Sequence, residues 1–218
     1  MSTQITVTGR AEARIAPELG AVSIAVAASG PSRDAVLQQA GRAHQALLDE
    51  VKSVDAEGVL DVWSAGQLRV WAHRPWNAEG RQLPLAHEAR ADVEVVFRDL
   101  ARLTEWVSAA AERDSIAIGG VEWRLTDATR HRVQEDAQRR AVADAIAKAR
   151  VYADALGLGE PTAVELADRG LLGPQPGPSG PQPVMMRAAA FGGAQAPVTE
   201  LTPADLVLEA SVDARFTA

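Results

Sequence analysis

An α+β fold is what this sequence predicts: antiparallel sheet built from β-β-α units with one long helix packed across it, in the order β-β-α-β-β-α-β-α-β-β. Three observations carry that expectation. Several stretches alternate apolar and polar residues with period two, as strands with one wet face do. The segments between them carry apolar residues at the helical period. Glycine, proline and capping residues fall at the junctions. The 218 residues, 47% hydrophobic and 23% charged, suffice for a core without disulfide or metal.

The first strand spans residues 5–15. Ile5, Val7, Gly9, Ala11, Ala13 and Ile15 are apolar or small, whereas Thr6, Thr8, Arg10, Glu12 and Arg14 are polar. Turn residues at 16–20 lead to a return strand over 21–28, so a β-hairpin is expected here. Ser32 is placed as the N-cap of a helix whose apolar stripe runs Val36, Leu37, Ala40, Leu47, Leu48, Val51 and Val54. A second long hairpin follows over 60–72 and 83–98. In its return strand Leu85, His87, Ala89, Ala91, Val93, Val95 and Phe97 share one face. Residues 100–113 read as a helix with Leu100, Leu103, Val107 and Ala110 inward.

In the strand over 116–125, Gly119-Gly120 shifts the apolar parity, which predicts a bulge. The long helix, 127–156, carries Val133, Ala137, Val142, Ala145, Ile146, Ala149, Tyr152 and Leu156 as its stripe. Glu135–Arg139, Asp136–Arg140 and Asp144–Lys148 are i,i+4 pairs, and Gly157, Gly159 and Pro161 stop it. Strands over 162–168 and 206–216 complete the sheet. Between them, residues 170–197 hold six Gly and six Pro in 28, a composition that predicts a mobile loop. The whole chain, 1–218, is read as one domain with that loop as an insertion.

Ile5-Thr6-Val7-Thr8-Gly9, followed by Ile15-Ala16-Pro17-Glu18-Leu19-Gly20-Ala21-Val22, resembles the start of the SIMPL-domain family. The likeness continues through 87–100, Ile118-Gly119-Gly120-Val121-Glu122-Trp123, and the long helix ending Leu156-Gly157-Leu158-Gly159. It covers nearly the whole chain, and its motifs specify fold while staying silent on chemistry. The resemblance implies an α+β domain of largely undefined biochemical activity. Its relatives include bacterial stress-associated periplasmic proteins and a mammalian adaptor, and the family is associated with higher-order assembly. Pro17-Glu18 stands where members commonly have Pro-Asp, and Pro203-Ala204 where many have Pro-Gly. Residues 1–4 run straight into a strand pattern without a signal-like segment, so a cytoplasmic location is expected.

Catalytic signatures are weak. A charge of −7 disfavours nucleic acid as a partner, and no apolar run approaches a membrane span. With no cysteine and four scattered histidines, neither a cofactor nor a structural metal is expected. His87 and His44 are read as hydrogen-bonded core histidines before ligands or bases. Trp63-Ser64-Ala65-Gly66 approaches the nucleophile-elbow pattern, but Val62 replaces its first glycine and the context is strand into strand. Over 127–156, six basic residues face five acidic ones, a solvated face with no one-sided charge.

The aromatic residues are the oddity. Trp63, Trp71 and Trp76 crowd one hairpin. In a regular strand Val62, Leu68 and Val70 would face the core, turning Trp63, Trp71 and His73 outward around Arg69. Such a face suits an interface or ligand groove; a covering layer, or a bulge that flips the parity, is the alternative. Met185, Met186 and Phe191 form a second apolar patch, expected at a subunit contact. The functional expectation is a non-enzymatic homo-oligomeric scaffold whose partner is itself. The alternative is a binding module for a peptide, a partner protein or a small hydrophobic ligand, with an undetected hydrolase third.

Overall fold

The computed structural model describes residues 2–76, 82–172 and 201–218. In chain order they form β1 (Gln4–Ile15), β2 (Leu19–Gly30), α1 (Arg33–Ala56), β3 (Leu60–Ala65), β4 (Arg69–His73), β5 (Ala86–Phe97), α2 (Leu100–Ala111), β6 (Ile116–Arg124), α3 (Asp127–Ala155), β7 (Thr162–Asp168) and β8 (Leu206–Thr217). The fold is α+β. Its strands divide between two antiparallel sheets, one in each of two compact units.

The unit made by residues 2–15, 127–172 and 205–218 holds the sheet β1-β8-β7, with α3 against it. β1 and β8 pair along their full length, from Gln4↔Thr217 to Ile15↔Leu206. The period-two pattern delivers Ile5, Val7, Ala210, Val212, Ala214 and Phe216 to the buried face. Against them α3 lays Ala137, Ala141, Ala145, Ala149 and Ala153, all at 0% exposure. Of the expected stripe Ala137, Ala145 and Ala149 are buried, Val142 and Ile146 flank them, and Tyr152 and Leu156 are exposed. Gly9 gives the reason, since a Cβ there would lie 2.0 Å from the Ala141 carbonyl oxygen and 2.8 Å from the Ala145 Cβ. At that approach only methyl side chains fit between helix and strand. α3 ends in a Schellman motif, with Leu158 N–H on Ala153 O at 2.9 Å and Gly157 N–H on Asp154 O at 3.0 Å. Gly157 has φ +68°, a conformation in which a Cβ would be strained.

Residues 16–76, 82–126 and 201–204 form the other unit. Its sheet runs β3-β5-β2-β6, with β4 also on β5, and α1 and α2 pack against it. Val22, Ile24 and Val26 meet Val93, Val95 and Phe97 beneath Leu47, Val51 and Val54 of α1 and Leu103, Trp106 and Val107 of α2. Side chains cap both helices: Ser32 Oγ accepts from the Ala35 N–H, and Asp99 Oδ1 from those of Ala101 and Arg102. The bulge predicted at Gly119-Gly120 is present, because the β2–β6 register steps from Ser23↔Gly120 to Ile24↔Ile118.

The expected β1–β2 hairpin does not form. β1 pairs with β8, whereas β2 pairs with β5 and β6. The difference lies in their burial: β1 has one wet face, while β2 is buried on both faces over residues 19–22 and again over 24–26. A strand of the second kind belongs in the middle of a sheet. Residues 173–197 of the expected loop lie outside the described residues.

Gly9→Ala should cost about 2–3 kcal/mol, because the clash is with helix backbone that must move. Gly41→Ala, inside α1 with nothing within 4 Å, should instead gain about 0.5–1 kcal/mol. Urea unfolding of both variants beside the wild type measures this; an unchanged midpoint for Gly9→Ala would remove the close approach as a constraint.

Candidate functional site

The tryptophan hairpin separates into two environments. Leu60 pairs with Phe97, but the next pair is Val62↔Val96, so one extra residue flips the parity of β3. Trp63 therefore turns inward onto the core cluster, and its Nε1 donates to Asp55 Oδ2 at 3.2 Å. Val62, expected inward, is 57% exposed. Between Ala65↔Val93 and Arg69↔Arg90 the strand takes one more extra residue, and the original parity returns. Leu68 and Val70 then pack inward while Trp71 is 43% exposed, as the alternation predicts for β4. Arg69, Trp71 and His73 thus share the outward face, and Trp63 does not join them.

Fixed charges crowd that face. Asp92 takes Arg90 Nε at 2.8 Å and Arg69 Nη2 at 3.4 Å, so Arg69 is occupied by a carboxylate. His73 Nδ1 stands 3.6 Å from Glu88 Oε1, an ion pair only when the imidazole is protonated. Trp71, Glu88, Ser29 and Asp114 line a cavity of about 700 Å³, floored by Ala28 and Ala43.

The expected reacting groups stay apart. Ser64 lies in β3, opposite Glu94, without the strand–turn–helix of an elbow. His44 and His87 are each expected hydrogen-bonded in the core, but His44 Nε2 and His87 Nδ1 are shut from solvent without a partner among the described residues. His87 has Gly30 and Ala72 beside it on the neighbouring strands, and neither offers a side-chain polar atom. Among the described residues no three His, Cys, Asp or Glu side chains are grouped to hold a cation. Nor is any described helix long and apolar enough to cross a membrane. Met185, Met186 and Phe191 lie outside the described residues.

Sequence reasoning missed a contrast between the two edges of the β1-β8-β7 sheet. α3 closes the β1 edge: Asp144 Oδ2 accepts the Arg10 N–H at 2.8 Å, Lys148 Nζ donates to Thr8 O at 2.9 Å, and Arg140 Nη1 donates to Glu12 O at 3.1 Å. Lys148 also holds Asp144 at 2.6 Å. These residues stand out in the sequence only as i,i+4 pairs, which says nothing of a strand beneath them. The β7 edge has no strand beside it among the described residues, and Val164 and Leu166 are 50% and 58% exposed.

The Asp144 carboxyl is held below its ordinary range, first by its hydrogen bond from Lys148 and then by the Arg10 N–H. Asp213 is lowered likewise, by the Gly170 N–H first and the Thr8 hydroxyl second.

The geometry defines a class first: an α+β protein of two antiparallel sheets whose distinctive features are a bare edge strand and a surface cavity. The family model described as SIMPL, protein of unknown function (DUF541), matches residues 5–216, and the chain belongs to that family. No curated protein matches it.

Because the folded-state pKa values of Asp144 and Asp213 lie below their unfolded ones, their stabilisation is complete above about pH 4 and is lost as pH falls through the folded values. The thermal midpoint should hold from pH 7 to 5 and drop below 4. Asp144→Asn should start lower at pH 7 and show a shallower acid drop. Parallel acid limbs for variant and wild type would assign the sensitivity to other carboxylates.

Proposed function

We propose that this protein is a non-enzymatic homo-oligomeric scaffold that assembles through the β7 edge. One contrast supports the reading: the sheet closes its β1 edge with three side chains of α3, while among the described residues nothing pairs with the far edge of β7, where Val164 and Leu166 are exposed. An unpaired apolar edge templates another strand, and chains that remain monomeric blunt such edges with lysine, proline or a cover. β7, Thr-Ala-Val-Glu-Leu-Ala-Asp, contains neither lysine nor proline, and its one irregularity is a register shift on β8 between Ala163 and Glu165. A second copy's β7 would satisfy the open backbone groups and shield both apolar side chains. The net charge of −7 opposes that contact, so apolar burial and strand pairing must outweigh it and the assembly should survive raised salt.

Light scattering at micromolar concentration tests this. The wild type should exceed the protomer mass in low and high salt, and Val164→Lys/Leu166→Lys should fall to it. A monomeric wild type, or a double variant of undiminished mass, rejects the reading. Loss of assembly in Met185→Ser/Met186→Ser/Phe191→Ser alone would move the contact to that segment.

A further inference from the structure

The sheet of residues 16–126 leaves a notch on one edge of β2. β6 accompanies β2 only as far as the Val26↔Ile116 pair, beyond which the Ala27 N–H goes to the Ser115 carbonyl at 3.0 Å. β2 itself continues to Gly30. Alternate residues of a strand present their backbone groups to the same side. The Ser29 N–H and C=O therefore face the side that β6 has left, with no strand beside them among the described residues. The cavity of about 700 Å³ lies against this stretch, with Ser29 in its lining.

The cavity walls carry two carboxylates, Glu88 and Asp114, against one guanidinium, Arg90. The Arg90 guanidinium is drawn to Asp92 at 2.8 Å, a carboxylate it shares with Arg69. Among the described residues Glu88 has His73 alone as an ion-pair partner, at 3.6 Å, and that partner carries no charge when the imidazole is neutral. Asp114 has no ion pair among the described residues. Trp71, directly across the strands from Glu88, adds a half-exposed indole whose π face attracts cations.

We propose that this notch binds an extended peptide segment bearing a lysine or arginine. The segment pairs with the β2 edge at Ser29, and its cationic side chain lies on the Trp71 indole with Glu88 and Asp114 as counter-charges. Backbone pairing gives the site its hold on any extended chain, and the indole with two carboxylates gives its preference for a cation. This site is independent of the β7 edge.

Fluorescence anisotropy of a labelled hexapeptide alternating valine and lysine, titrated with the full chain at low salt, tests the proposal. The same peptide with glutamate in place of lysine is the control. The lysine peptide should bind at least tenfold tighter than the glutamate one, and raised salt should weaken it. Trp71→Ala and Glu88→Gln/Asp114→Asn should each weaken it about tenfold; both sites are at the surface, and unchanged thermal midpoints confirm that the variants fold. Val164→Lys/Leu166→Lys should bind as the wild type does, which separates this site from self-assembly. Equal binding of the two peptides, full affinity in both notch variants, or spermidine binding as tightly as the lysine peptide would each overturn the proposal.

Discussion

Everything in the β1-β8-β7 unit depends on how closely α3 approaches β1. With no Cβ on Gly9 and only methyls along 137–153, helix backbone and strand backbone nearly touch. That proximity brings Asp144, Lys148 and Arg140 within hydrogen-bonding distance of the β1 main chain. A leucine stripe would hold the helix farther off, and the same polar side chains would reach water instead. The close packing and the closure of the β1 edge are therefore one arrangement. Among the described residues no strand pairs with the far edge of β7, so the sheet has one finished edge and one open one.

The other unit is organised by burial on both faces of β2. Its core face carries Val22, Ile24 and Val26, and on the opposite face Ala21 and Ala25 are also buried. A strand with those demands recruits neighbours on either side, β5 along its whole length and β6 along part of it. Where β6 ends, β2 does not. The notch is thus a mismatch in strand length, and Trp71 stands on its rim because β4 recovers the parity that β3 lost.

Much of this was legible in the sequence, where local chemistry decides the outcome. Ser32 caps α1, Gly119-Gly120 marks the β6 bulge, and Gly157 closes α3, because each depends on backbone and near neighbours alone. Glu18, the departure from Pro-Asp, still binds Thr126, accepting from its N–H at 2.9 Å and its hydroxyl at 2.7 Å. What failed was long-range. The partner of β1 lies at the other end of the sequence, and no periodicity encodes that. Trp63 turns inward because an extra residue near Asp61 reverses every later side chain in β3, the outcome that a parity-flipping bulge allows and regular alternation does not. Hydrophobicity ranks valine and isoleucine above alanine, so the full alanine stripe is faint in the sequence, while the packing here rewards small size.

The pairing of β1 with β8 also has a temporal meaning. β1 is synthesised first and β8 last, so the sheet they share has maximal sequence separation and a high loop-closure cost. Residues 16–126 contain every strand their own sheet needs and can fold while the rest of the chain is still being made. Until β8 arrives, the β1 edge that faces it is unpaired along twelve residues, with only α3 to cover Ile5 and Val7. Completion of this unit is therefore a late event in its synthesis, and the β1 edge stays open on that side until β8 pairs with it.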